Sequence, residues 1–467
     1  MQIKYRLLSV LLVVLLVSGL FCSSQGRAIP DTQSGNEWTS EKETIYIWYA
    51  DDSLSNYITS AAVEFGEKQG ARIIPVLKSA SAFMEEINAD TMDPEKQTPD
   101  AYVINNDELE KAFLAGLASE INDSGEKVNE AFFPKTALSA VTYLGKKVAY
   151  PFYFETSVLL YNKDYVTMWL KQQAEKENQD ANSEDGSEVV DADELMPEST
   201  DEISLENIID ENGIPITVDG LLGFADTFDA PENMDGVMKW NVADIFYNYW
   251  IVGAYLSVGG DCGDDADQVD IYNNETVECL KVYQALNQFF FIEPDAVNYE
   301  SAINDFIEGK IVFSIANTDI MRRLKEAKED GSFGYSYGVA TLPRINEQLG
   351  SRALSVTNTV AINGYSEHKE LANRFALFLT QEYASNLYEQ SGKLSSTIAA
   401  NQKDPNCKVF IKQYEESISL PKLMEIGDLW LKLEALFAKV WNGEDVDSLV
   451  KDLSESVKLQ EHGKAQE

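Results

Sequence analysis

Histidine is nearly missing from this chain of 467 residues, which contains only His368 and His462. Imidazole is a common protein ligand of zinc and other transition metals. The shortage argues against a histidine-based metal site, and we expect the protein to work without a metal ion or another cofactor.

Cysteine is also scarce, with four residues in the whole chain. Cys22 belongs to the N-terminal segment described below, and an odd number of cysteines is then left for the rest of the protein. Three cysteines do not make a disulfide framework. We expect buried free thiols, with a bridge between the first two as the alternative. These cysteines are Cys262, Cys279 and Cys407.

Long apolar runs are missing except at residues 7–21, directly after the basic residues Lys4 and Arg6. A run of about 15 residues is too short to cross a bilayer comfortably, because a spanning helix needs about 20. A basic start, a short apolar run and small polar residues beyond it are typical of an export signal.

The apolar run ends at Cys22, and this arrangement resembles a bacterial lipoprotein signal. Phe21 departs from the pattern, since such signals usually have a small residue there. We predict a signal peptide over residues 1–22, lipidation of Cys22, and attachment to the outer face of the cytoplasmic membrane through that anchor alone. A cleaved signal on a soluble secreted protein is the alternative.

Basic residues are outnumbered, since 37 Lys and Arg accompany 78 Asp and Glu and give a formal net charge of −41. Such a charge repels nucleic acids and anionic lipids, so we expect neither as a partner. It also disfavours polyanionic substrates. We interpret the acidity as a means of keeping an exported protein soluble.

Alternating strand and helix patterns follow a polar tether at residues 23–43. Strand-like runs at residues 44–49, 71–76 and 100–104 are separated by helical patterns, which favours a parallel α/β sheet. Residues 175–211 contain fifteen Asp and Glu but a single basic residue, Lys176. This density predicts a partly disordered acidic insertion, with an ion-binding or docking segment as the alternative.

Two patterns suggest chemistry only weakly. The run from Gly334 to Gly338 matches the G-x-S-x-G nucleophile elbow around Ser336, with His368 downstream. An elbow needs a strand before it and a helix after it, whereas a strand-like run follows here, so we predict a turn that leads into a strand. Aspartates at residues 261–270 suit calcium by chemistry, but we favour a solvated loop.

Aromatic residues crowd into residues 240–255. Aromatic faces can stack on the apolar faces of sugar rings, and small-ligand clefts combine such walls with a few polar groups. The alternative is an aromatic core helix over residues 242–256. The aromatic residues are Trp240, Phe246, Tyr247, Tyr249, Trp250 and Tyr255.

Six segments, taken in order, resemble the extracellular solute-binding proteins of sugar-importing ABC transporters, the class that includes maltodextrin-binding proteins. Together they cover most of residues 44–455. They are Ile45-Tyr46-Ile47-Trp48-Tyr49 with Gly70-Ala71-Arg72-Ile73, Pro99-Asp100-Ala101-Tyr102-Val103-Ile104 with Leu114-Ala115-Gly116-Leu117-Ala118, Gly145-Lys146-Lys147-Val148-Ala149-Tyr150-Pro151 with Glu155 and Tyr161-Asn162-Lys163-Asp164, Gly259-Gly260, Phe306 with Gly309-Lys310, and Tyr365-Ser366-Glu367-His368-Lys369 with Ala372 and Phe375.

The resemblance implies a two-lobed α/β fold of the periplasmic-binding-protein type (type II), with crossing hinge strands and a ligand cleft between the lobes. We expect crossings near residues 149–151, 354–362 and 420. The expected lobes are an N-terminal lobe of residues 44–149 and 357–419 and a C-terminal lobe of residues 150–356 and 420–460, with the acidic insertion in the latter.

The resemblance also implies a set of ligand-binding residues. The stretch at residues 316–319 lacks a tryptophan that some maltodextrin binders have there, which suggests a more polar subsite. The implied residues are Tyr49, Asp51, Asp52, Asn105, Asn106, Asp107, Tyr153, Glu155, Tyr247, Tyr249, Trp250 and Trp430.

The function that follows is the capture of a carbohydrate, in the first place an oligosaccharide, by a monomeric surface lipoprotein. It would deliver the sugar to an ABC permease without any catalytic step. Two alternatives stay open: a sensor of the same fold that presents its ligand to a membrane receptor, and a surface-anchored hydrolase that uses Ser336 or Glu155.

Overall fold

The computed structural model describes residues 42–122, 126–184, 209–210, 212–402, 404–424 and 427–464. The elements below belong to the compact unit that begins at Glu43. The predicted signal peptide, Cys22 and nearly all of the predicted tether lie outside the described residues.

Strands and helices alternate along the first part of the chain, as the sequence predicted. The described strands are β1 (Thr44–Tyr49), β2 (Arg72–Leu77), β3 (Ala101–Asn105), β4 (Thr142–Tyr143), β5 (Lys146–Lys147), β6 (Tyr150–Thr156), β7 (Val158–Asn162), β8 (Ser257–Val258), β9 (Val269–Asp270), β10 (Phe313–Ala316), β11 (Tyr337–Ala340), β12 (Leu354–Ile362), β13 (Leu394–Ser395) and β14 (Ile418–Ser419). The described α-helices are α1 (Ser55–Gln69), α2 (Phe83–Met92), α3 (Leu109–Leu114), α4 (Lys135–Val141), α5 (Lys163–Glu184), α6 (Val218–Thr227), α7 (Asn274–Phe290), α8 (Tyr299–Ile307), α9 (Ile320–Glu329), α10 (Lys369–Leu377), α11 (Leu387–Ser391), α12 (Pro405–Glu416), α13 (Leu429–Trp441) and α14 (Val446–Lys464).

A seven-stranded sheet has the order β13-β6-β12-β3-β1-β2, and β14 pairs with β12 outside this path. The pairs β1–β2 and β1–β3 are parallel, which confirms the prediction for the first three strands. The long strand β12 runs antiparallel to both β3 and β6. The carboxyl ends of β1 and β3 therefore meet at one edge of the sheet.

The strands β1 and β3 are buried on both faces. Ile45 and Ile47 point into a core shared with α1 and α10, whereas Trp48 packs on the opposite face with Tyr102 and Ile104. Successive side chains of a strand point to opposite faces. A near-continuous apolar run is therefore what a sheet covered on both sides requires.

A second, antiparallel sheet has the order β10-β7-β11. Its strand β7 follows β6 after a single residue, Ser157, which is fully buried. Sheet membership thus changes at Ser157, seven residues beyond the predicted lobe boundary at residue 150. The boundaries of the two lobes as moving bodies stay a prediction.

The aromatic segment is not the α-helix that the sequence suggested. It forms two 3₁₀ turns, Ile245–Tyr247 and Tyr249–Ile251. Buried Asn248 explains the difference, because its amide nitrogen donates to the backbone oxygens of Asn241 (3.0 Å) and Asp244 (2.7 Å). Side chains that bond to nearby backbone compete with helical hydrogen bonds.

The predicted acidic insertion overlaps a helix. Helix α5 extends to Glu184, so residues 175–184 of the segment predicted to be partly disordered are helical, and the character of the insertion stays a prediction. The stretch 185–208 and residue 211 lie outside the described residues.

The structure decides between the alternatives left open for the cysteines and for the elbow-like motif. All three described cysteines are free, so the alternative of a Cys262–Cys279 bridge is wrong, although Cys262 is only half-buried. Ser336 directly precedes β11, and its N–H donates to Asp164 (2.9 Å), which confirms the predicted strand after the motif in place of the helix that an elbow needs. His368 lies 3.1 Å from Glu43.

The described residues contain neither a candidate membrane span nor a cluster of metal ligands. No described helix combines the length and the apolar character that a bilayer span requires. No group of three or more His, Cys, Asp or Glu among the described residues could hold a metal ion. In the aspartate-rich loop at residues 261–270, Asp264 accepts from the N–H of Leu144 (2.8 Å) and Asp265 from the amide of Gln268 (2.6 Å).

Candidate functional site

A cavity of about 450 Å³ lies at the sheet edge where β1 and β3 end. Ligands of open α/β sheets bind at such carboxyl ends. The wall combines apolar side chains with carboxylates, amides and hydroxyls. Its lining residues are Ala50, Asp51, Ala80, Ser81, Phe83, Met84, Glu85, Val103, Ile104, Asn105, Glu108, Tyr153 and Asn358.

Lys393 joins two of the predicted carboxylates beside this cavity. Its ammonium nitrogen lies 2.9 Å from Oδ2 of Asp51 and 3.1 Å from Oε1 of Glu155. The same nitrogen lies 5.2 Å from the ring centre of Tyr153. Three predicted ligand residues thus converge on a lysine that the sequence analysis did not single out.

Strand register explains this convergence. Leu394 of β13 pairs with Phe154 of β6 in antiparallel register, so Lys393 stands opposite Glu155. Gly392 ends α11 in the left-handed conformation (φ 75°), which glycine adopts without steric cost and which turns the chain from the helix into β13. Asp51 comes from the turn after β1, which ends at the same sheet edge.

The charges of this cluster stabilise one another. Burial acts to raise the pKa of Asp51, but the hydrogen bonds from Ser53 and the charge of Lys393 hold it below its usual range. Burial acts to lower the pKa of Lys393, and the charges of Glu155 and Asp51 raise it above its usual range. Burial and the same carboxylates raise the pKa of Tyr153. At neutral pH Asp51 is therefore a carboxylate and Lys393 an ammonium group.

A second polar group surrounds Tyr247. Its ring stacks on Tyr299 with 4.9 Å between ring centres and 15° between planes. The amide of Asn317 donates to the hydroxyl of Tyr247 (3.3 Å), and the hydroxyl of Tyr299 donates to Asp319. Burial raises the pKa of Asp319, although Tyr299 and Arg323 oppose this effect. The stretch at residues 316–319 thus supplies amide and carboxylate groups.

The two groups lie within electrostatic range of each other. Burial is the main cause that raises the pKa of Tyr247, and the charge of Glu155 adds to it. Gly392, next to Lys393, lies so close to α9 that a methyl group there would stand 3.0 Å from Cδ of Arg322. The charge of Glu155, on the seven-stranded sheet, therefore acts on the hydroxyl of Tyr247.

Four of the predicted ligand residues do not line the cavity, whereas Asn105 does. Tyr49 is buried and donates to Ser55 (3.1 Å), and Asp52 is exposed in a 3₁₀ turn. Fully buried Asn106 binds the backbone of β12 and the chain beyond β14. Asp107 lies near Glu108 and Lys422, whose charges affect its pKa. Asn105 is exposed and lines the cavity.

The remaining predicted aromatic residues differ in accessibility. Tyr249 and Trp250 are each 1% exposed within the core around the three-stranded sheet. Trp430 is half-buried at the edge of this core, 5.9 Å from Tyr249 between ring centres. Of these three rings, Trp430 has the most accessible face, and ligand binding by the whole set stays a prediction.

Sequence reasoning missed Lys393, Tyr299 and Asn358. The sequence Ser391-Gly392 indicates the turn before Lys393. No pattern in the neighbouring sequence indicates that the residues after Lys393 pair with β6. Asn358 lines the cavity from the middle of β12, whose composition indicates only a buried strand.

Comparison with known proteins identifies the family of this chain. The model of a sequence family described as bacterial extracellular solute-binding protein matches residues 60–408. The chain belongs to this family. Two relatives of this solute-binding protein from Bacillus subtilis (strain 168) are similar over most of its length. The maltodextrin-binding protein MdxE is 22% identical over 430 residues, 88% of this chain and 89% of the relative. The galactooligosaccharide-binding protein is 22% identical over 429 residues, 89% of this chain and 88% of the relative.

Solved structures show the same fold. The extracellular solute-binding protein from Staphylococcus aureus in complex with maltose matches with a TM-score of 0.70 at 19% identity, over 90% of this chain and 97% of that one. A cyclo/maltodextrin-binding protein complexed with maltotetraose matches with a TM-score of 0.68 at 18% identity, over 90% and 98%. The predicted two-lobed α/β fold of this solute-binding protein is thereby confirmed.

Proposed function

We propose that this solute-binding protein captures a carbohydrate, and specifically an oligosaccharide, and delivers it to the permease of an ABC importer. One observation carries the proposal: Asp51, Glu155 and Lys393 form a charged cluster beside the cavity, and the charge of Glu155 reaches Tyr247, whose ring stacks on Tyr299. Carboxylates and an ammonium group suit hydroxyl groups, and aromatic rings suit the apolar faces of sugars. The names of the two Bacillus relatives support the same ligand class.

Binding would work without chemistry on the ligand. A ligand that contacts both lobes favours the closed arrangement over the open one by its difference in affinity for the two. Hinge residues near Ser157 and Leu420 would absorb the backbone change while the lobes, as divided above, move as bodies. The permease would then recognise the closed form.

The proposal extends to location and assembly. The chain would be exported, anchored at the outer face of the cytoplasmic membrane by lipid on Cys22, and active as a monomer. It would not hydrolyse its ligand. Release of product from chromogenic esters or glycosides by the purified protein, lost in the Ser336→Ala or Glu155→Gln variants, would contradict this part.

A thermal-shift screen of the purified full chain tests the ligand class. The panel contains mono- and oligosaccharides, with amino acids, polyamines and calcium as controls. A ligand at 100 times its dissociation constant stabilises the folded state by about 2.7 kcal/mol. We expect the melting temperature to rise with one class of oligosaccharide. A rise with a control compound and with none of the sugars would contradict the proposed ligand.

A pair of variants links the response to the site. Glu155→Gln removes a carboxylate of the cluster and should weaken binding of the sugar found in the screen. Glu64→Gln removes a carboxylate of an exposed pair with Lys68 on α1 and should leave binding unchanged. Equal effects of both changes would show that the response does not arise at the cluster.

A further inference from the structure

Lys393 occupies the position that a cationic ligand would take between Asp51 and Glu155. Its side chain is 23% exposed, and the two carboxylates are 30% and 33% exposed. Both contacts are short enough for charge-assisted hydrogen bonds. The chain thus supplies its own cation to a pair of ligand-facing carboxylates.

The lysine is fixed by the backbone on both sides. Its own N–H donates to the hydroxyl of Ser391 (3.2 Å), and the next residue, Leu394, begins the pairing with β6. Gly392 is in close contact with Arg322 of α9. A ligand could displace the ammonium group only by breaking two charged contacts while the lysine backbone stays in place.

The carboxylates keep acceptor capacity for a neutral ligand. Oδ1 of Asp51 accepts from the N–H (3.0 Å) and hydroxyl (2.7 Å) of Ser53, and Oδ2 contacts Lys393. Glu155 uses Oε1 for Lys393, and no hydrogen bond from a described residue engages its Oε2. Each ionised oxygen can accept more than one hydrogen bond, so the hydroxyl groups of an uncharged sugar can bind without displacing Lys393.

The charge around the cavity disfavours acidic sugars. The charged residues in its lining are Asp51, Glu85 and Glu108, all acidic, and Lys111, outside the lining, lies 3.5 Å from Glu85 and 3.9 Å from Glu108. Two arginines of α9 lie near the cluster and the Tyr299 ring, and each forms an ion pair with a glutamate. Arg322 pairs with Glu326 and Arg323 with Glu300. A uronic acid would therefore meet like charge, which works against binding.

We propose that Lys393 sets the charge specificity of the site: it satisfies Asp51 and Glu155 so that an uncharged sugar is accepted and a cationic aminosugar is rejected. The inference rests on the proposed function. Discrimination of this kind comes from an element that opposes the wrong ligand as well as from contacts to the right one. Lys393 is that opposing element, because an aminosugar must compete with a cation belonging to the protein.

The test compares Lys393→Met and Lys393→Arg with the unchanged protein. Titration calorimetry measures binding of maltotriose and of the glucosamine trimer at a pH where the amines are charged. We expect Lys393→Met to gain affinity for the glucosamine trimer by on the order of tenfold, because two carboxylates lose their partner. The gain should decline with added salt, and Lys393→Arg should keep the original preference.

Lys239→Met is the matched control. Lys239 is also 23% exposed and also lies between two carboxylates, at 2.8 Å from Asp305 and 3.5 Å from Asp235, but none of the three lines the cavity. This variant should not gain aminosugar affinity. If Lys393→Met does not fold, as judged by its melting curve, the double variant Lys393→Met/Glu155→Gln keeps the net charge of the cluster at −1 and should show a smaller gain, because Asp51 alone then lacks its cationic partner.

Each outcome separates the two proposals. Binding of maltotriose by the unchanged protein with no aminosugar gain in Lys393→Met or the double variant overturns the role of Lys393 and leaves the proposed function standing. A gain of equal size in Lys239→Met also overturns it. The absence of any sugar response in the thermal-shift panel overturns the proposed function itself.

Discussion

The side-chain amide of Asn106 donates a hydrogen bond of 2.7 Å to the backbone oxygen of Leu420, 314 positions later in the chain. The oxygen of the same amide accepts from the N–H of Thr357 (2.9 Å). Asn106 is one of the predicted ligand residues, and its role in binding stays a prediction. In the structure its side chain holds two predicted crossing segments, β12 and the chain around Leu420, at the end of β3.

Asn106→Ala should destabilise the protein. The change leaves the buried N–H of Thr357 and the backbone oxygen of Leu420 without partners, and buried groups left unpaired cost about 1–3 kcal/mol each. Urea unfolding measures the loss. The neighbouring variant Asn105→Ala affects an exposed side chain and should change stability by no more than about 0.5 kcal/mol. Similar losses in both variants would contradict the clamping role of Asn106.

Asp107 should make stability depend on acid pH. Burial, followed by the charge of Glu108, raises its pKa from 3.8 to about 6, despite the opposing charge of Lys422. Its Oδ1 is buried and has no hydrogen-bond partner among the described residues. The folded state then binds the proton more tightly than the unfolded state. The tighter proton binding stabilises the folded state. This stabilisation is complete below pH 3.8 and is lost as the pH rises through about 6.

Asp107→Asn should therefore stabilise the protein at pH 7, by about 1–3 kcal/mol, because one pKa unit corresponds to about 1.4 kcal/mol. The loss of stability between pH 4 and pH 6 should also become smaller. Urea unfolding at several pH values measures both effects. Asp267→Asn, on the exposed loop between β8 and β9, is the control and should leave the pH profile unchanged. Destabilisation of Asp107→Asn at pH 7 would show that its carboxylate is a needed partner.

Trp430→Ala should weaken sugar binding by more than tenfold and leave the protein folded. The ring is half-buried at the edge of a core, so its removal takes away an aromatic face with limited loss of packing. Calorimetry with the sugar found in the screen measures the effect. Leu431→Ala, at an adjacent side chain that is 69% exposed, should keep full affinity. An unchanged affinity of Trp430→Ala would remove this residue from the site.

Cys22→Ser should release the protein from the membrane. If the cysteine carries lipid, the change removes the anchor, and the protein moves from the membrane fraction to the medium. Immunoblotting of cell fractions and intact-protein mass spectrometry measure location and lipid. Cys262→Ser is the control for loss of a thiol and should leave both unchanged. Release of both variants to the same extent as the unchanged protein would favour a cleaved signal.

The sequence by itself determined the features that neighbouring residues encode. Apolar runs such as residues 44–49 and 100–104 predicted strands, and their alternation with helical patterns predicted that these strands are parallel. Short segments in a fixed order were enough for the family resemblance, and hence for the two-lobed fold. The same resemblance proposed Asp51, Tyr153 and Glu155, which the structure brings together around Lys393.

Only the tertiary structure decided which distant groups meet. Lys393 reaches Glu155 because β13 pairs with β6 in one register, and a shift of one residue would move its side chain to the other face of the sheet. The side-chain amide of Asn106 binds the backbone of Leu420, and that of Asn248 binds the backbone of Asp244, so that the segment forms 3₁₀ turns in place of the predicted α-helix. Polarity patterns are local, whereas the partners of a buried polar group depend on how the whole chain closes around it.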